Sequence, residues 1–307
     1  MDEHKPVLVD EVLAGLAPEA DGLYIDATFG RGGHTARILQ TLGREGRVLA
    51  LDRDPQAVAA GRVRFASEMR LALVHASFAD LRQVVLDHAG DTPVAGVLFD
   101  LGVSSPQLDE AARGFSFTKD GPLDMRMDPS RGEPVSAWLA CAPVDEMREV
   151  IATLGEERFA RRVAAAIATA RARAPIERTH QLAQIVAGAV RSRDGKHPAT
   201  RTFQALRMHV NDELGQLGRG LAAAVDVLAP GGRLAVISFH SLEDRATKEF
   251  MRRESGIDPV LARLPVVPPH TPPRLRLVGS KRKATDAEVA ANPRARSAVL
   301  RVAERTA

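Results

Sequence analysis

The chain has 307 residues, of which 45% are hydrophobic and 26% charged, which is typical of a globular protein and excludes a disordered or fibrous one. No apolar run approaches the roughly 20 residues that span a bilayer, and the acidic N-terminus has no secretory pattern, so we expect no membrane contact. A single cysteine, Cys141, excludes an internal disulfide and a multi-cysteine zinc site, and we therefore expect no metal and a cytoplasmic location.

Positive charge is concentrated in two segments, although the net charge is only +3. Arg158–Arg207 holds eleven Arg and Lys against two acidic residues, and Arg274–Arg301 holds eight against two. Such segments are typical of a protein that binds a phosphate-rich partner. The alternative interpretation is a solvated helix face and a charged tail.

Short apolar runs alternate with amphipathic segments along the first hundred residues. The runs predict strands at Leu23–Thr28, Arg47–Asp52, Leu71–Ala76 and Val94–Leu101, and the segments predict helices at Thr35–Leu42, from Pro55 onward and at Leu81–His88. Strands that alternate with helices indicate a parallel sheet with helices on both faces.

The pattern changes after the fourth predicted strand. The chain continues with a predicted loop at Ser104–Pro134, short helices up to about Arg193 and a long helix at Arg201–Leu228, which Ala229–Gly232 ends. A strand at Arg233–Phe239, a helix near Leu242–Arg253 and a strand at Ser297–Ala303 are predicted after it. We therefore predict an α/β domain formed by residues 1–105 and 205–307. Residues 106–204 are predicted to form an inserted, mostly helical domain that recognises the substrate.

A glycine-rich turn, DATFGRGGH, is predicted between the first strand and the first helix. Gly30 and Gly32 allow close approach of a ligand, and Asp26 suits a positively charged amino group. Asp52 ends the second strand twenty residues after Gly32, where a carboxylate can accept hydrogen bonds from both ribose hydroxyls. Thr35 stands where a dinucleotide fingerprint requires glycine, so the pattern favours S-adenosylmethionine. A purely structural turn is the alternative.

Asp100, Ser104 and Ser105 follow the fourth strand, at the edge where open α/β sheets bind ligands. Hydrogen-bond acceptors at this edge would suit methylation of the exocyclic amine of a nucleic-acid base. Such an amine is a poor nucleophile because its lone pair is delocalised into the ring, and acceptors that bind its protons assist methyl transfer. We therefore assign catalytic roles to these three residues. Phe78, after the third strand, is predicted either to contact the adenine or to pack in the core.

The chain resembles the bacterial 16S ribosomal RNA (cytosine-N4) methyltransferases nearly from end to end. The shared blocks are Tyr24–Thr35, Leu51–Pro55, Asp100–Leu108, Arg113–Pro129, Lys196–Leu214, Ile237–Arg245 and Asn292–Arg301. The resemblance implies a Rossmann-like, S-adenosylmethionine-dependent methyltransferase sheet and N4-methylation of a 16S rRNA cytidine in the assembled small ribosomal subunit. It also implies that the cofactor is contacted by Gly32, Gly33, His34, Asp52, Phe78, Asp100 and Gln107.

Other polar residues are candidates for substrate binding. They are Asp124, Arg126 and Asp128 in the predicted loop, His197 and Arg201 at a predicted helix start, and His240 at the end of a strand. The acidic loop is either self-paired and structural or a gate over the target base. His240 is either a substrate contact or a structural histidine, while the cations near His197 favour contact with RNA.

Two other classes of function compete with an RNA base methyltransferase. A DNA or small-molecule amino-methyltransferase is the first, but the basic segments argue against a small substrate. The sequence SPQL, from Ser105 to Leu108, matches only in part the (Asp/Asn/Ser)-Pro-Pro-aromatic element common in enzymes that methylate base amines, which weakens the DNA alternative. The second class is a ribosome-assembly factor that binds RNA and cofactor without catalysis.

Overall fold

The computed structural model describes residues 6–190, 197–256 and 272–307, so part of the first basic segment, including Lys196, lies outside the described residues. The chain divides into two compact units. The first comprises the described residues within Met1–Gly102 and Leu214–Ala307, and the second those within Val103–Glu213. None of the helices that the structure describes is long and apolar enough to cross a membrane.

The helices and strands are numbered in chain order. The described strands are β1 Leu23–Asp26, β2 Arg47–Asp52, β3 Leu71–His75, β4 Val94–Asp100, β5 Leu228–Ser238, β6 Leu275–Leu277, β7 Arg282–Lys283 and β8 Val299–Arg305. The described α-helices are α1 Val9–Leu16, α2 Gly33–Thr41, α3 Pro55–Arg64, α4 Leu81–Ala89, α5 Ser105–Asp109, α6 Val135–Cys141, α7 Val144–Gly155, α8 Ala160–Arg171, α9 Thr179–Ala189, α10 Thr200–Val210, α11 Glu213–Val227, α12 Ser241–Glu254 and α13 Asp286–Ala291.

The first unit is built on one sheet with the strand order β3-β2-β1-β4-β5-β8-β6, and β7 also pairs with β8. Strands β1 to β5 are parallel, whereas β8 is antiparallel to its neighbours. Ile25 and Val97 lie in one apolar cluster, and their neighbours Tyr24 and Leu98 lie in another on the opposite face. Burial on both faces explains why these strands are continuous apolar runs. The predicted α/β, Rossmann-like sheet is confirmed.

The second unit contains short helices where the sequence predicts them, between the loop at 104–134 and about Arg193. Helices α6 to α10 enclose an apolar cluster that includes Leu139, Ile151, Ile167 and Leu206, all of them buried. The apolar residues recur on one face of each helix, so each helix is covered by packing against its neighbours. The predicted loop at 104–134 contains one short α-helix, α5, near its beginning and a 3-10 helix at Ala111–Arg113.

The prediction of one long helix at Arg201–Leu228 is wrong. The structure has α10 and α11 instead, separated at Asn211 and Asp212, and Asp212 adopts a left-handed backbone with φ 47°. The side-chain amide of Asn211 donates to the carbonyl of Arg207 at 2.8 Å, and an Asn that bonds to the backbone in this way competes with helix continuation. Strand β5 also begins earlier than predicted, at Leu228, where Leu228 pairs with Val94 of β4 and a register shift separates this pair from Arg233.

Candidate active site

The turn between β1 and α2 needs glycine for two physical reasons. Gly30 and Gly32 have φ angles of 55° and 70°, in the left-handed region that side chains disfavour. A Cβ atom at Gly32 would also lie 2.6 Å from Cζ of Phe29, which is closer than any real contact. Glycine at position 32 thus makes room for the rings of Phe29 and Phe65, whereas Gly30 leaves open space where a ligand can approach the backbone.

Asp26 holds this turn together from the end of β1. Its carboxylate accepts the backbone N–H of Thr28 at 3.2 Å and the hydroxyl of Thr35 at 2.7 Å, and its exposed fraction is only 1%. Burial raises the pKa of Asp26, against the opposing effects of the Thr35 hydrogen bond and of His34. Both oxygens therefore have protein partners, and the amino-group contact predicted for Asp26 stays a prediction. The role of Thr35 was not predicted from the sequence.

Asp52 joins the end of β2 to the glycine turn. One oxygen accepts the N–H of Gly30 at 2.6 Å and the other accepts the N–H of Asp54 at 2.8 Å. Loss of solvation around the carboxyl group raises the pKa of Asp52 to about 6, although both N–H groups act in the opposite direction. Each carboxylate oxygen has a second lone pair, so Asp52 can still accept hydroxyl donors from a ligand.

The buried His34 and the partly buried Asp100 form a pair beside the turn. Nε2 of His34 lies 3.5 Å from Oδ2 of Asp100, while the N–H of Asp100 donates to the hydroxyl oxygen of Thr28 at 2.6 Å. Burial lowers the pKa of His34, but the carboxylates of Asp100 and Asp26 outweigh it and the net shift is upward. Within the described ranges, neither Nε2 of His34 nor Oδ1 of Asp100 has a hydrogen-bond partner. Buried polar atoms without partners mark a place where a ligand supplies them.

These features fit the predicted cofactor. S-adenosylmethionine carries two ribose hydroxyls, an amino group and a carboxylate. Asp52 offers acceptors for the hydroxyls, Gly30 leaves open space where a side chain would stand, and Asp100 offers a buried oxygen, Oδ1, without a hydrogen-bond partner among the described residues. The cluster therefore offers complementary groups for a polar nucleoside cofactor.

Phe78 packs against the core of the first unit. The centres of the Phe78 and Phe99 rings are 5.5 Å apart, and the rings meet edge-on. The Phe78 ring also packs against Gly220, where an added Cβ atom would lie only 2.7 Å from Cδ2 of Phe78. Ser77 next to it donates its hydroxyl to Oε1 of Gln216 at 2.6 Å, which anchors the segment to α11. These contacts support the core role for Phe78, and its contact with adenine stays a prediction.

Ser104, Ser105 and Gln107 belong to the second unit, where they form the beginning of α5. Ser104 is the N-cap residue, and its backbone N–H donates to Oε1 of Gln107 at 2.9 Å. This is one half of a capping box, so the buried Gln107 stabilises the turn that carries both serines. The cofactor contact of Gln107 and the catalytic roles of the serines stay predictions.

The acidic loop of the second unit is self-paired. Arg126 donates from Nε and Nη2 to the two oxygens of Asp124, at 2.8 Å each, and Asp128 accepts the N–H and the hydroxyl of Ser130. Met125, between Asp124 and Arg126, is fully buried and has a φ angle of 63°. These contacts support the structural interpretation, because the loop cannot move without breaking them.

Asn211 clamps this loop from the junction of α10 and α11. Its amide donates to the carbonyl of Met125 at 2.7 Å, and its Oδ1 accepts the N–H of Met127 at 2.8 Å. Arg113 adds a hydrogen bond to the carbonyl of Met127 at 2.9 Å. The residue that ends the predicted long helix thus holds a loop more than eighty positions earlier in the chain.

Replacing Asn211 by Ala should lower the free energy of unfolding by about 2–4 kcal/mol, because a buried N–H and a buried carbonyl each lose their partner at about 1–3 kcal/mol apiece. Urea denaturation of the variant and of wild type measures the difference. Gln184→Ala, on the exposed side of α9, is the matched control and should stay within about 0.5 kcal/mol of wild type. An Asn211 variant as stable as that control would contradict the clamp.

His197 and Arg201 lie at the beginning of α10. The ring of His197 stacks on Phe117 at 4.5 Å, and its Nδ1 accepts the N–H of Ala199 at 3.2 Å. Arg201 donates to the carbonyl of Glu156, just after α7, at 3.1 Å. Arg201 therefore has a structural partner, whereas the exposed His197 ring is held in place at the surface.

His240 is the N-cap residue of α12 in the first unit. Its Nδ1 accepts the N–H of Glu243 at 3.4 Å, and Oε2 of Glu243 accepts the N–H of Phe239 at 2.8 Å. This reciprocal cap accounts for His240 as a structural residue. Its contact with substrate stays a prediction.

The structure brings the predicted cofactor residues of the first unit together at the carboxyl ends of β1, β2 and β4. They are Asp26, Gly30, Gly32, Gly33, His34, Asp52 and Asp100. Asp124, Arg126 and Asp128 form a separate group in the second unit. The sequence did not predict roles for Thr28, Thr35 and Asn211. Thr28 and Thr35 form hydrogen bonds with Asp100 and Asp26, and Asn211 forms one with Met127, next to Asp128.

A model of the MraW methylase family matches residues 1–306 of the chain. The ribosomal RNA small subunit methyltransferase H of Azoarcus sp. strain BH72 is 56% identical over 305 residues, which cover 99% of this chain and 97% of that protein. The protein of the same name from Xanthomonas euvesicatoria pv. vesicatoria is 54% identical over 303 residues, covering 98% and 88%. Among solved structures, an rRNA methylase from Streptococcus thermophilus has a TM-score of 0.42 and 13% identity, covering 97% of this chain and 94% of that one.

Proposed function

Because the chain belongs to the MraW methylase family, we propose that it transfers a methyl group from S-adenosylmethionine to the N4 amine of a cytidine in 16S ribosomal RNA. The names of its relatives support a small-subunit ribosomal RNA as substrate. We also propose that the RNA is methylated within the assembled small subunit and that the reaction takes place in the cytoplasm. N4 as the methylated atom is supported by the position and chemistry of Asp100.

The position of Asp100 and the hydrogen bonding of its carboxylate are the observation that carries the proposal. It ends β4 beside the glycine turn, and its Oδ1 is buried without a hydrogen-bond partner among the described residues. An acceptor in this position suits the N–H groups of an exocyclic amine, which is the donor that N4 of cytosine presents. A ring-carbon target would leave this buried carboxylate oxygen without such a partner.

The bound cofactor supplies an electrophilic methyl group. The protein's part is to present the amine nitrogen to it, and Asp100 does this by accepting an amine proton in a hydrogen bond, which shifts electron density toward the nitrogen. His34 lies beside it, with Nε2 3.5 Å from Oδ2 of Asp100, and helps to hold the side chain in position from the glycine turn. Thr28 holds the Asp100 backbone in position from β1, so the acceptor is already oriented before substrate binds.

The proposed function is tested by transfer of a labelled methyl group to small subunits purified from cells that lack this protein. Digestion of the RNA to nucleosides should place the label in N4-methylcytidine. Small subunits from wild-type cells, already methylated, are the matched control and should accept little label. Label in another nucleoside, or efficient transfer to DNA and none to the subunit, would contradict the proposal.

Cofactor affinity should depend on pH through Asp52. The ionised carboxylate is the form that accepts two hydroxyl protons, and in the free protein its pKa is raised to about 6. Binding therefore lowers the pKa of Asp52, and affinity should fall about tenfold for each pH unit below 6 and level off above about 7. Calorimetric titration between pH 5 and 8 measures this. Asp52→Asn should lose that part of the pH dependence, and a variant with an unaltered profile would refute the assignment.

A further inference from the structure

A small pocket lies between α12 and the turn that joins β6 to β7 in the first unit. Its volume is about 170 Å³, and its lining includes the cationic residues Lys248, Arg252 and Lys281 together with the apolar residues Met251 and Leu277. The first three come from two segments separated in the chain, so folding is what brings their charges together. None of them belongs to the cofactor cluster at the ends of β1, β2 and β4.

The pocket has an excess of positive charge. Arg301 also lines it, but its guanidinium is paired with both oxygens of Asp244, at 2.7 and 3.0 Å. Arg301, and secondarily Lys281 and Lys248, lower the pKa of Asp244, so these lysines lie near a carboxylate that already has a partner. In the part of the chain that the structure describes, Lys248, Arg252 and Lys281 make no salt bridge. Of the four cations that line the pocket, Arg301 is the one that the described structure pairs with a carboxylate.

The shape and composition of the pocket suit an anion. Met251 and Val302 are buried beneath it, and an apolar floor strengthens the attraction between the cations and a bound charge. Gly279 and Ser280 form the opposite rim, where Gly279 adopts a φ of 66° and Ser280 offers a hydroxyl donor. Lysine, arginine and hydroxyl donors are the groups that bind phosphate oxygens in nucleic-acid complexes.

We propose that this pocket binds one phosphate group of the RNA backbone. The proposal rests on the proposed function, because it takes ribosomal RNA as the partner. Arg301 pairs with Val236 of β5, and Asp100 pairs with the next β5 residue, Ile237. The backbone of Arg301 therefore lies two strands, about 10 Å, from the backbone of Asp100. The phosphate accordingly belongs to a nucleotide close to the target in the chain, and it positions the RNA without contacting the reacting base.

The test compares two triple variants of the full-length protein. Lys248→Ala, Arg252→Ala and Lys281→Ala remove the pocket charges, and Arg44→Ala, Arg47→Ala and Arg62→Ala remove three exposed charges from the same unit as a matched control. Binding to purified small subunits is measured without cofactor, at several salt concentrations. Cofactor affinity and the thermal midpoint of each variant show whether it is folded.

The pocket variant should bind the subunit about ten to a hundred times more weakly. When the logarithm of its binding constant is plotted against the logarithm of the salt concentration, the slope should be smaller in magnitude by about one, as expected for the loss of one phosphate contact. The control variant should keep the wild-type slope. Equal effects of the two variants, or no effect of either, would overturn the proposal. If the pocket variant does not fold, Lys281→Glu, an exposed position, gives the same comparison.

Inorganic phosphate distinguishes the RNA backbone from a free phosphate ligand. At constant ionic strength it should compete with the subunit for wild type and have no effect on the pocket variant. Phosphate binding by wild type, combined with normal subunit binding by the pocket variant, would overturn the RNA assignment. Wild-type protein that binds the subunit but does not methylate cytidine would contradict the proposed function and leave the pocket comparison valid, whereas failure of wild type to bind the subunit would overturn both.

Discussion

Asp100→Asn should lower the rate of methyl transfer at saturating cofactor by about 10²–10⁴-fold, the range typical of a lost general base or positioning acceptor. Asn keeps the size of the side chain, but its amide nitrogen donates where the carboxylate accepts. It also lacks the charge that attracts His34, 3.5 Å away. Single-turnover methylation of small subunits, with cofactor well above its dissociation constant, separates this loss from weaker cofactor binding.

Asp91→Asn is the matched control for that experiment. Asp91 is an exposed carboxylate just before the opposite end of β4, so the same chemical change is made far from the cofactor cluster. It should leave the single-turnover rate unchanged. If the Asp100 variant also reacts within a few-fold of wild type, Asp100 acts only in binding, and the catalytic acceptor must be sought at His240 or in the loop at 124–128.

Asp52→Ala should weaken cofactor binding by between tenfold and several hundredfold. A charge-assisted hydrogen bond contributes about 1.5–3 kcal/mol, and tenfold in affinity corresponds to about 1.4 kcal/mol. The substitution removes the acceptors proposed for the ribose and also the anchor of the Gly30 N–H, so both effects act in the same direction. Isothermal calorimetry with S-adenosylmethionine measures the dissociation constant directly.

Asp54→Ala controls for local damage in the Asp52 experiment. It removes the N-cap of α3 while keeping the backbone N–H that donates to Asp52. We expect it to lower stability by about 0.5–2 kcal/mol, as loss of a cap does, with little effect on cofactor affinity. A stably folded Asp52→Ala protein with the wild-type dissociation constant would rule out the ribose role.

The sequence by itself determined the sheet and the glycine turn. Strands β1, β2 and β4 are apolar runs buried on both faces, β3 is a partly exposed strand at the edge of the sheet, and their alternation with helices is a local pattern that the sequence displays directly. Asp26, Asp52 and Asp100 were predictable at one edge because each ends a strand of the same parallel sheet. The resemblance to a known family added His34, Gly33 and Gln107, which no periodicity indicates.

Only the tertiary structure decided how these residues are partnered. The Thr28 hydroxyl meets the N–H of Asp100 across 72 positions of sequence, and Asn211 reaches Met127 across 84. Such contacts depend on strand register and on the packing of whole helices, so no local pattern encodes them. The same is true of Lys248 and Lys281, whose charges look like parts of a solvated surface until folding places them around one pocket. Local periodicity specifies which face of an element is buried, whereas hydrogen bonding and charge pairing depend on distances that only the folded chain creates.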